Sequence, residues 1–410
     1  MPRRKKNRIT YIAAAVLVVA ASAAVYIADV KYQNKQAEAL APKEPVSYQT
    51  ATISAVGDIA LDDALLTDAL QQDGSYDFTP YFLNAAPLLY EADLTIGNLE
   101  LTFSGEPYGG DTFSAPESLA STLHTLGFDL VQTANSKSVA GGISGLENTI
   151  SVLNSNGIET VGTYTSQYQH DYKNVRIKEI NGIRFAFIAY TKGFDGMSIP
   201  EGSEYCTNLL YEDYNSQYTT IDKEQIISCI DAAKAEDPDV IISLVHWGSV
   251  YKMDISESQQ KIADLMFENG VDVILGSHSH MVAPIEMREV ERPGGTMKQG
   301  FLAYSLGNFL SSDQETNTQE SLVLNLTFTK NEETGIVGIS DVNYVPLYIV
   351  DNGKRADDRY EILDIYRSID LYNTSYLDRV SDEIFEELNQ AIETLKTNTN
   401  TDYDRGPTAE

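Results

Sequence analysis

The run ISAVGDIALDD at residues 53–63 decides the fold, because an apolar strand ends there in a glycine followed by an aspartate. Gly57 permits a sharp turn of the chain, and Asp58 comes directly after it. In α/β folds the strands are apolar, and functional side chains cluster just past their carboxyl ends. We therefore expect Asp58 to belong to a site at the edge of a sheet.

Three further runs have the same form, an apolar strand that ends in polar side chains. They are DLTIGNLE at 93–100, VIISLVHWG at 240–248 and VDVILGSHSH at 271–280. Together they add five strand-end residues, namely Asn98, Glu100, His246, His278 and His280. Three of the five histidines in the chain thus fall at strand ends. This distribution predicts one shared site.

The residue types at these strand ends predict metal binding. Carboxylates and imidazoles are the ligands of divalent transition metals such as Mn²⁺, Zn²⁺ or Fe²⁺. The spacing of His278 and His280 in an extended segment places both rings on one side. A carboxylate such as Glu100 could bridge two metal ions about 3.5–4 Å apart and so activate water for attack on a phosphoryl centre. Taken singly, Asp58 also fits a helix cap and His246 a packed core residue, so the prediction depends on the combination.

Apolar periodicity predicts strands that alternate with helices and are followed by further strands. The predicted strands span 50–57, 93–98, 129–134, 158–162, 174–180, 183–191, 239–246, 272–276, 284–291, 300–305, 321–329 and 336–350. The predicted helices span 62–72, 116–126, 143–156, 222–235 and 256–269, with acidic amphipathic helices at 358–372 and 378–396. Asn181-Gly182 and Pro293-Gly294-Gly295 predict hairpin turns. This order predicts an α/β fold with two sheets, in one domain of about 300 residues.

The composition is that of a folded, acidic protein. Of the 410 residues, 42% are hydrophobic and 22% charged, which argues against disorder, and the formal net charge is −31. Broad binding of nucleic acid is excluded, because phosphate contacts require clustered lysine and arginine. Cys206 and Cys229 are too few for a disulfide framework. They are interpreted as buried thiols, with a single bridge as the alternative.

The N-terminus predicts attachment to the cell membrane. Residues 1–8 form a basic flank with five positive charges, and residues 9–28 carry no charge and are mostly Ala, Val, Ile and Leu. Twenty helical residues span about 30 Å, the thickness of the hydrocarbon core of a bilayer. Since a basic flank stays cytoplasmic, we expect a single-pass transmembrane helix with the C-terminal domain extracytoplasmic. A cleaved signal peptide is the alternative, because Ala-Ser-Ala at 21–23 fits a cleavage site.

The remaining segments are divided by composition. Residues 29–47 are interpreted as a linker, 48–351 as the main domain, 352–397 as C-terminal helices and 398–410 as a disordered tail. Beyond the basic flank, 24 basic residues stand against 60 acidic ones, a net charge of −36. Such a domain attracts cations and repels an anionic polymer unless salt or bound cations screen it.

Five motifs follow one another in a distinctive order: GDIALDD, GNLE, HWG, GSHSHMVAPIE and YSLGNFL. In this combination, over residues 50–315, the chain resembles the poly-γ-glutamate capsule biosynthesis proteins of the CapA type. The resemblance implies a fold similar to the calcineurin-like metallophosphoesterases, a two-sheet α/β sandwich with metal ligands on loops at one edge. It also implies an association with synthesis or export of an anionic cell-surface polymer. The ligands that it implies are Asp58, Glu100, His246, His278 and His280.

One motif departs from the family pattern. The family normally carries Asn-Asn-His-x-x-Asp after the third strand, where this chain has Asn135-Ser136-Lys137 and no aspartate. In the metallophosphoesterases the Asn-His pair supplies a metal ligand and a proton donor to the leaving group. The resemblance therefore leaves Asn135 and Lys137 as catalytic candidates, and a lysine supplies positive charge but exchanges protons poorly near pH 7. Ser277 and Ser279 also depart from the family, but the histidine pair remains.

Three functions remain open at this point, and whether the protein is an enzyme remains open with them. The first is a membrane-anchored, metal-dependent hydrolase or transferase that acts on a phosphorylated substrate or an anionic polymer. The second is a catalytically degenerate member that serves, with capsule-synthesis membrane proteins, as a structural subunit of an assembly complex. The third is a surface protein that collects cations on its acidic face.

Overall fold

The computed structural model describes residues 25–33, 35, 46–292, 295–353, 359–374 and 380–407. The chain divides into two units, Met1–Ser47 and Tyr48–Glu410, and residues 25–33 of the first unit are helical. The predicted basic flank and nearly all of the predicted transmembrane segment lie outside the described residues. Among the described residues, no helix combines the length and the apolar character that crossing a membrane requires.

In the second unit, strands alternate with helices and further strands follow, as predicted. The described strands are β1 (Tyr48–Ala60), β2 (Leu94–Glu100), β3 (Phe128–Gln132), β4 (Glu159–Val161), β5 (Arg176–Ile180), β6 (Ile183–Thr191), β7 (Val240–His246), β8 (Val273–Ser277), β9 (Ile285–Glu291), β10 (Met297–Ala303), β11 (Asn308–Leu310), β12 (Glu320–Asn331), β13 (Val337–Asp351) and β14 (Tyr360–Asp364). The described helices are α1 (Asp63–Ala69), α2 (Thr79–Phe82), α3 (Ala86–Leu89), α4 (Ser118–Thr125), α5 (Gly142–Ser155), α6 (Gln167–Tyr172), α7 (Lys223–Ala235), α8 (Glu257–Asn269), α9 (Ile365–Asn373) and α10 (Asp382–Asn398).

The strands form two mixed sheets, which confirms the predicted two-sheet α/β fold. The first sheet has the order β14-β13-β12-β1-β2-β3-β4, and β11 also pairs with β1. The second has the order β5-β6-β7-β8-β10-β9. Strands β1 to β4 run parallel to one another, and so do β6, β7, β8 and β10. The first sheet therefore has a parallel half that ends at the edge strand β4 and an antiparallel half, whereas the second has a parallel centre flanked by the antiparallel strands β5 and β9.

Apolar side chains on both faces of each sheet fix the order of the layers. A central core lies between the sheets and contains, for example, Ile53 of β1 and Phe185 of β6. A second core packs α1 to α5 on the outer face of the first sheet, and a third packs α7 and α8 on the outer face of the second. The result is a sandwich of helices, sheet, sheet and helices. Both cysteines are buried and free, as expected for thiols in a core.

Local sequence signals account for several element boundaries. Asn181 and Gly182, with φ values of 50° and 80°, turn the chain between the antiparallel strands β5 and β6, which confirms the predicted hairpin. Asp62 caps α1 by accepting bonds from two backbone N–H groups. Ser256 and Gln259 form a capping box at α8. The predicted turn at 293–295 falls between β9 and β10, and its first two residues lie outside the described part of the chain.

The segment after β13 differs from its prediction, since residues 360–364 form a strand where the start of a helix was expected. Tyr360 and Ile362 are buried, and β14 pairs antiparallel with β13. Apolar residues at positions 360, 362 and 363 fit both a helical and an extended pattern. Pairing with β13 therefore decides that the segment is a strand. The helix begins only at Ile365, where Asp364 caps it by accepting a bond from the backbone N–H of Arg367.

The C-terminal tail also differs from the prediction of disorder. Residues 401–403 form a 3₁₀ turn, and the backbone N–H of Arg405 donates to the carbonyl of Tyr344 in β13 at 2.9 Å. The Tyr366 hydroxyl donates to the Asp404 carboxylate. Residues 404 and 405 of the tail are thus hydrogen-bonded to α9 and to β13, which the polar composition of the tail does not predict.

Candidate metal centre

The candidate site lies at the carboxyl ends of the parallel strands. β1 and β2 carry Asp58 and Glu100 in the first sheet, and Asp58 lies beside Asn98 in the register of these strands. β7 ends in His246, which lies beside Ser277 at the end of β8. His278 and His280 follow β8, so two sheets contribute side chains to one place.

The five predicted ligands converge. Glu100, His246 and His278 offer ligand atoms within 4.8 Å of one another, and so do Asp58, Glu100 and His280. Glu100 belongs to both groups, so its carboxylate lies between two adjacent candidate positions for a metal ion. His280 is partly exposed, whereas the other four residues are buried.

Within each group the side chains lie close together. His246 Nε2 lies 3.2 Å from Glu100 Oε2, and His280 Nδ1 lies 3.2 Å from Asp58 Oδ2. The ring centres of His246 and His278 are 4.3 Å apart. The imidazoles and carboxylates are therefore close enough to act on a common ligand.

The donor chemistry fits a divalent metal ion. Both ring nitrogens of His278 and Nδ1 of His246 are buried without a hydrogen bond, and His246 Nε2 lies 3.2 Å from Glu100 Oε2 without hydrogen-bond geometry. Leaving a buried polar group unsatisfied costs about 1–3 kcal/mol, and native proteins rarely leave one without a reason. An imidazole lone pair beside a carboxylate is a ligand for Zn²⁺, Mn²⁺ or Fe²⁺. A cation held among these side chains would satisfy nitrogens that make no hydrogen bond within the protein.

The buried groups shift one another's pKa values. Burial alone would raise the pKa of the Glu100 carboxyl, but interaction with His246 and His280 holds it well below its usual range. Burial lowers the pKa of His278 far below that of an ordinary histidine, and His246 lowers it further. Burial opposes the charge of His280 as well, yet Glu100 and Asp58 raise its pKa to about 10. Glu100 is therefore a carboxylate at neutral pH and His278 a neutral imidazole, the states in which each can bind a metal, whereas His280 is protonated in the metal-free protein and would release a proton on binding one.

Neighbouring polar groups orient the candidate ligands. Asn98 donates to Asp58 Oδ1 at 2.8 Å, and Ser136 Oγ donates to Glu100 Oε1 at 2.7 Å. Asn308, which belongs to the YSLGNFL motif, has its Oδ1 2.9 Å from His280 Nδ1. This motif therefore supports the candidate ligand His280. Such bonds fix the direction of each ligand side chain.

The backbone around the ligands has unusual conformations. Gly57 lies so close to Gly307 that a Cβ atom there would come 2.0 Å from the Gly307 carbonyl oxygen. This approach allows the Asp58 N–H to donate to that oxygen at 2.9 Å. His278 and His280 have φ values of 98° and 60°, in the left-handed region that costs a non-glycine residue about 1–3 kcal/mol. The fold thus maintains a strained backbone where these side chains meet.

Asn135, the first catalytic candidate, has a supporting position. Its side-chain amide donates to Asn98 Oδ1 at 3.1 Å and to the carbonyl of Leu99 at 2.7 Å. Its own oxygen accepts from the backbone N–H of Lys137 at 3.0 Å. Asn135 therefore joins the loop after β3 to β2 and holds Lys137 in place.

Lys137, the second catalytic candidate, borders a cavity beside the cluster. Its ammonium lies 2.8 Å from Asp195 Oδ2 and 4.3 Å from the centre of the Phe113 ring. The cavity has a volume of about 330 Å³ and is lined by Ala60, Leu61, Asp62, Glu100, Phe113, Lys137, Tyr251, His280, Ser311, Ser312 and Asp313. A small ligand in this space would touch Lys137, Glu100 and His280.

Sequence reasoning missed two residues, one that contacts Lys137 beside this cavity and one that lines it. Asp195 follows β6, and the rule applied to the other strand ends would have selected it. Tyr251 follows His246 by five positions, and its ring centre lies 6.2 Å from that of His280. No pattern in the sequence marks Tyr251, because its position depends on the course of the loop after β7.

Fold and site together define a class of protein: a two-sheet α/β sandwich with a candidate metal centre at the carboxyl ends of its parallel strands. The family described as bacterial capsule synthesis protein PGA_cap matches residues 52–313, which is more than half of the chain. The chain belongs to this family. The matched segment contains all five predicted ligands together with Asn135 and Lys137.

Individual relatives agree with the family match. The chain is 25% identical to the capsule biosynthesis protein CapA of Bacillus anthracis over 359 residues, covering 85% of this chain and 78% of that protein. It is 25% identical to the PGA biosynthesis protein CapA of Bacillus subtilis strain 168 over 296 residues, covering 70% of each. The resemblance to CapA-type proteins is confirmed.

Two solved structures are also similar to this chain. A phosphatase of Mycoplasma pneumoniae matches with a TM-score of 0.43 and 14% identity, over 74% of this chain and 95% of that one. The protein TT1561 of Thermus thermophilus matches with a TM-score of 0.36 and 10% identity, over 71% of this chain and 98% of that one.

Proposed function

We propose that this chain is a metal-dependent hydrolase of capsule synthesis that acts on a phosphorylated or other anionic substrate. The observation that carries the proposal is the buried Glu100 carboxylate, shared by two groups of candidate ligands. The ring nitrogens of His246 and His278 support it, because they make no hydrogen bond and a metal ion would satisfy them. Family membership supports the role in capsule synthesis.

Each residue has a part in the proposed site. Divalent metal ions, Mn²⁺, Zn²⁺ or Fe²⁺, would be held by Asp58, Glu100, His246, His278 and His280. A metal ion bound there supplies Lewis acidity. Ser136 and Asn98 fix the carboxylates, and Asn135 holds the loop that carries Lys137. The adjoining cavity is large enough for a small substrate or the end of a polymer chain.

Hydrolysis of model substrates tests this proposal. The full chain, loaded with Mn²⁺ or Zn²⁺, is assayed on aryl phosphate monoesters, aryl phosphodiesters and γ-glutamyl anilides. We expect turnover of at least one class that Glu100→Ala abolishes and that Glu332→Ala leaves unchanged, since Glu332 is an exposed carboxylate between β12 and β13. A metal-loaded protein that hydrolyses none of them would contradict the proposed activity.

A structural role is the second candidate function, and the loop after β3 favours it. This chain has Ser136 and Lys137 where the resemblance implies an Asn-His pair, and Ser136 Oγ already donates to Glu100. A degenerate member would bind metal without turnover and act as a subunit of a capsule-assembly complex with membrane proteins. Metal bound at full occupancy with no hydrolysis in the preceding assay is the result expected for this role.

We also propose that residues 9–28 anchor the protein in the cell membrane, with the C-terminal domain extracytoplasmic. The uncharged run behind a basic flank supports this placement. Expressed in a bacterial host, the full chain should enter the membrane fraction at its full mass, and its domain should be digested by protease added to spheroplasts. A protein shortened by about twenty residues and found in the soluble fraction would instead indicate a cleaved signal peptide.

The charge of the protein limits the mode of polymer contact. With a net charge of −36 beyond the basic flank, the domain repels a polyanion such as poly-γ-glutamate unless cations screen it. Contact through a chain end or through protein partners therefore fits the composition better than binding along a polyanionic chain.

A further inference from the structure

We propose that Asp195 positions the ammonium group of Lys137 so that Lys137 binds an oxyanion, a phosphoryl or carboxylate group, of the ligand that enters the cavity beside the metal centre. The inference rests on the proposed function in one respect: it takes this cavity as the substrate site. It narrows the ligand of that site to one with a single anionic group, and it adds Asp195, which lies outside the sequence motifs that carry the family resemblance.

Lys137 is held in one place by three kinds of contact. Asp195 Oδ2 accepts from its ammonium at 2.8 Å, and the ring of Phe113 lies below that ammonium at 4.3 Å. Asn135 fixes the backbone of Lys137 at 3.0 Å. An ammonium has three N–H donors, and the salt bridge to Asp195 uses one of them. A ligand in the cavity can accept from the others.

The charges around the cavity single out Lys137. Among the described residues that line it, Lys137 is the one with an ammonium or guanidinium group, and Glu100, Asp62 and Asp313 are carboxylates. An anionic ligand therefore has the Lys137 ammonium to approach, besides a bound metal or, in the metal-free protein, the protonated His280 ring. Asp62 and Asp313 would repel further negative charge, so the favoured ligand carries one anionic group and an otherwise neutral body.

Asp195 is built to remain ionised beside Lys137. Burial alone would raise the pKa of its carboxyl, but the hydrogen bond and the charge of Lys137 lower it. Its φ of 50° is in the left-handed region. The backbone of the loop after β6 is therefore strained at the residue that contacts Lys137. Asp195 does not line the cavity. It is therefore a positioning residue that acts through Lys137.

Phosphate binding by the full chain tests the pair. Inorganic phosphate is titrated calorimetrically into Mn²⁺-loaded protein at constant ionic strength, and butyrate, which carries a single carboxylate, is titrated in parallel to distinguish a phosphoryl from a carboxylate ligand. Lys137→Met is expected to weaken the preferred anion about 10-fold or more, as for loss of a charge-assisted hydrogen bond. Lys137→Arg, which keeps the charge, is expected to retain most of the affinity.

A double-mutant comparison tests the role of Asp195. Asp195→Asn should weaken anion binding in the wild-type background and have no further effect when combined with Lys137→Met. The control is Lys178→Met, which removes another partly buried lysine whose ammonium lies 2.6 Å from a carboxylate, that of Glu159. This control should not change anion affinity, because that pair lies outside the cavity.

The inference and the proposed function fail separately. Full metal content with equal anion affinity in the wild type and Lys137→Met would overturn the inference and leave the metal site standing. If the protein takes up no Mn²⁺ and still binds the anion in a way that depends on Lys137, the inference is supported and the metal site is contradicted. An effect of Asp195→Asn that persists in full in the Lys137→Met background would overturn the positioning role.

Discussion

At the residue scale, Glu100 links the parts of the candidate site. Its carboxylate belongs to both groups of ligand atoms and accepts a bond from Ser136 Oγ at 2.7 Å. Interaction with the surrounding histidines offsets the cost of burying its charge, which is why its pKa falls instead of rising. A buried carboxylate among imidazoles that lack other partners is an arrangement that a cation would complete.

Ser136→Ala tests the support that this serine gives to Glu100. Loss of a hydrogen bond to a metal ligand lowers metal affinity about 10- to 100-fold in comparable sites, and we expect a decrease of that size. The measurement is competition with a metal-binding dye. Ser340→Ala removes an exposed hydroxyl that bonds only to the backbone of β12, so it should leave the affinity unchanged. Equal affinities in the two variants would contradict the supporting role of Ser136.

The candidate ligands could be predicted from the sequence, because each follows or ends an apolar run that is typical of a buried strand. This holds for Asp58, Glu100 and the three histidines. The contact between Lys137 and Asp195 could not be predicted, although each residue follows a strand, since they are 58 positions apart and meet only after β3 and β6 are assigned to facing sheets. The sequence marks Ser136 only as a departure from the family motif, and its contact with Glu100 depends on the course of one loop.

At the element scale, the close approach of β1 to the YSLGNFL segment positions Asp58. The register of β1 and β2 shifts between Ala55 and Asp58, and Gly57 lies within this irregularity. β11 then pairs with the end of β1 in parallel. The irregular strand turns Asp58 toward the histidines, so the geometry of this element matters for the site as well as for the fold.

Gly57→Ala tests this approach. Its Cβ atom would lie 2.0 Å from the Gly307 carbonyl oxygen, so we expect a loss of about 1–3 kcal/mol or more in the free energy of unfolding. Chemical denaturation measures it. Gly338→Ala is the matched control, because a Cβ atom at this strand position meets no heavy atom within 4 Å, and its effect should stay within about 0.5 kcal/mol. Equal stabilities of the two variants would show that β1 does not depend on this contact.

The strand β14 is an element whose type could not be predicted from the sequence. The sequence YEILD at 360–364 fits a helical and an extended pattern equally well, and its pairing with β13 makes it a strand. The long strands and helices at the centre of the fold were predicted within a few residues, because their apolar periods are regular. Short elements such as α2, α3 and β11 were missed, since three or four residues carry too little periodicity.

At the scale of the whole molecule, one metal centre would join the two sheets. Asp58 and Glu100 belong to the first sheet, and the three histidines belong to the second sheet or follow it. A bound ion therefore links both halves of the sandwich, and its binding energy contributes to the stability of the native state alone.

Metal removal should accordingly destabilise the protein. At a free metal concentration 100-fold above the dissociation constant, binding adds about 2.7 kcal/mol to the free energy of unfolding. Differential scanning calorimetry should show a lower melting temperature in EDTA and recovery when Mn²⁺ or Zn²⁺ is restored in excess. In Glu100→Gln, EDTA should cause a much smaller change. A wild-type melting temperature that does not respond to EDTA or to added metal would contradict a metal that joins the sheets.

The most direct test of the central claim is the metal content of the purified full chain. The wild type and the double variant His278→Ala/His280→Ala are incubated with Mn²⁺ and Zn²⁺, desalted and measured by elemental analysis. His124→Ala/His170→Ala, which removes the two histidines outside the cluster, is the control. We predict about one to two ions per chain in the wild type and the control, and a clear loss in the first variant. No bound metal in the wild type, or equal metal in all three proteins, would contradict the assignment of this cluster as a metal centre.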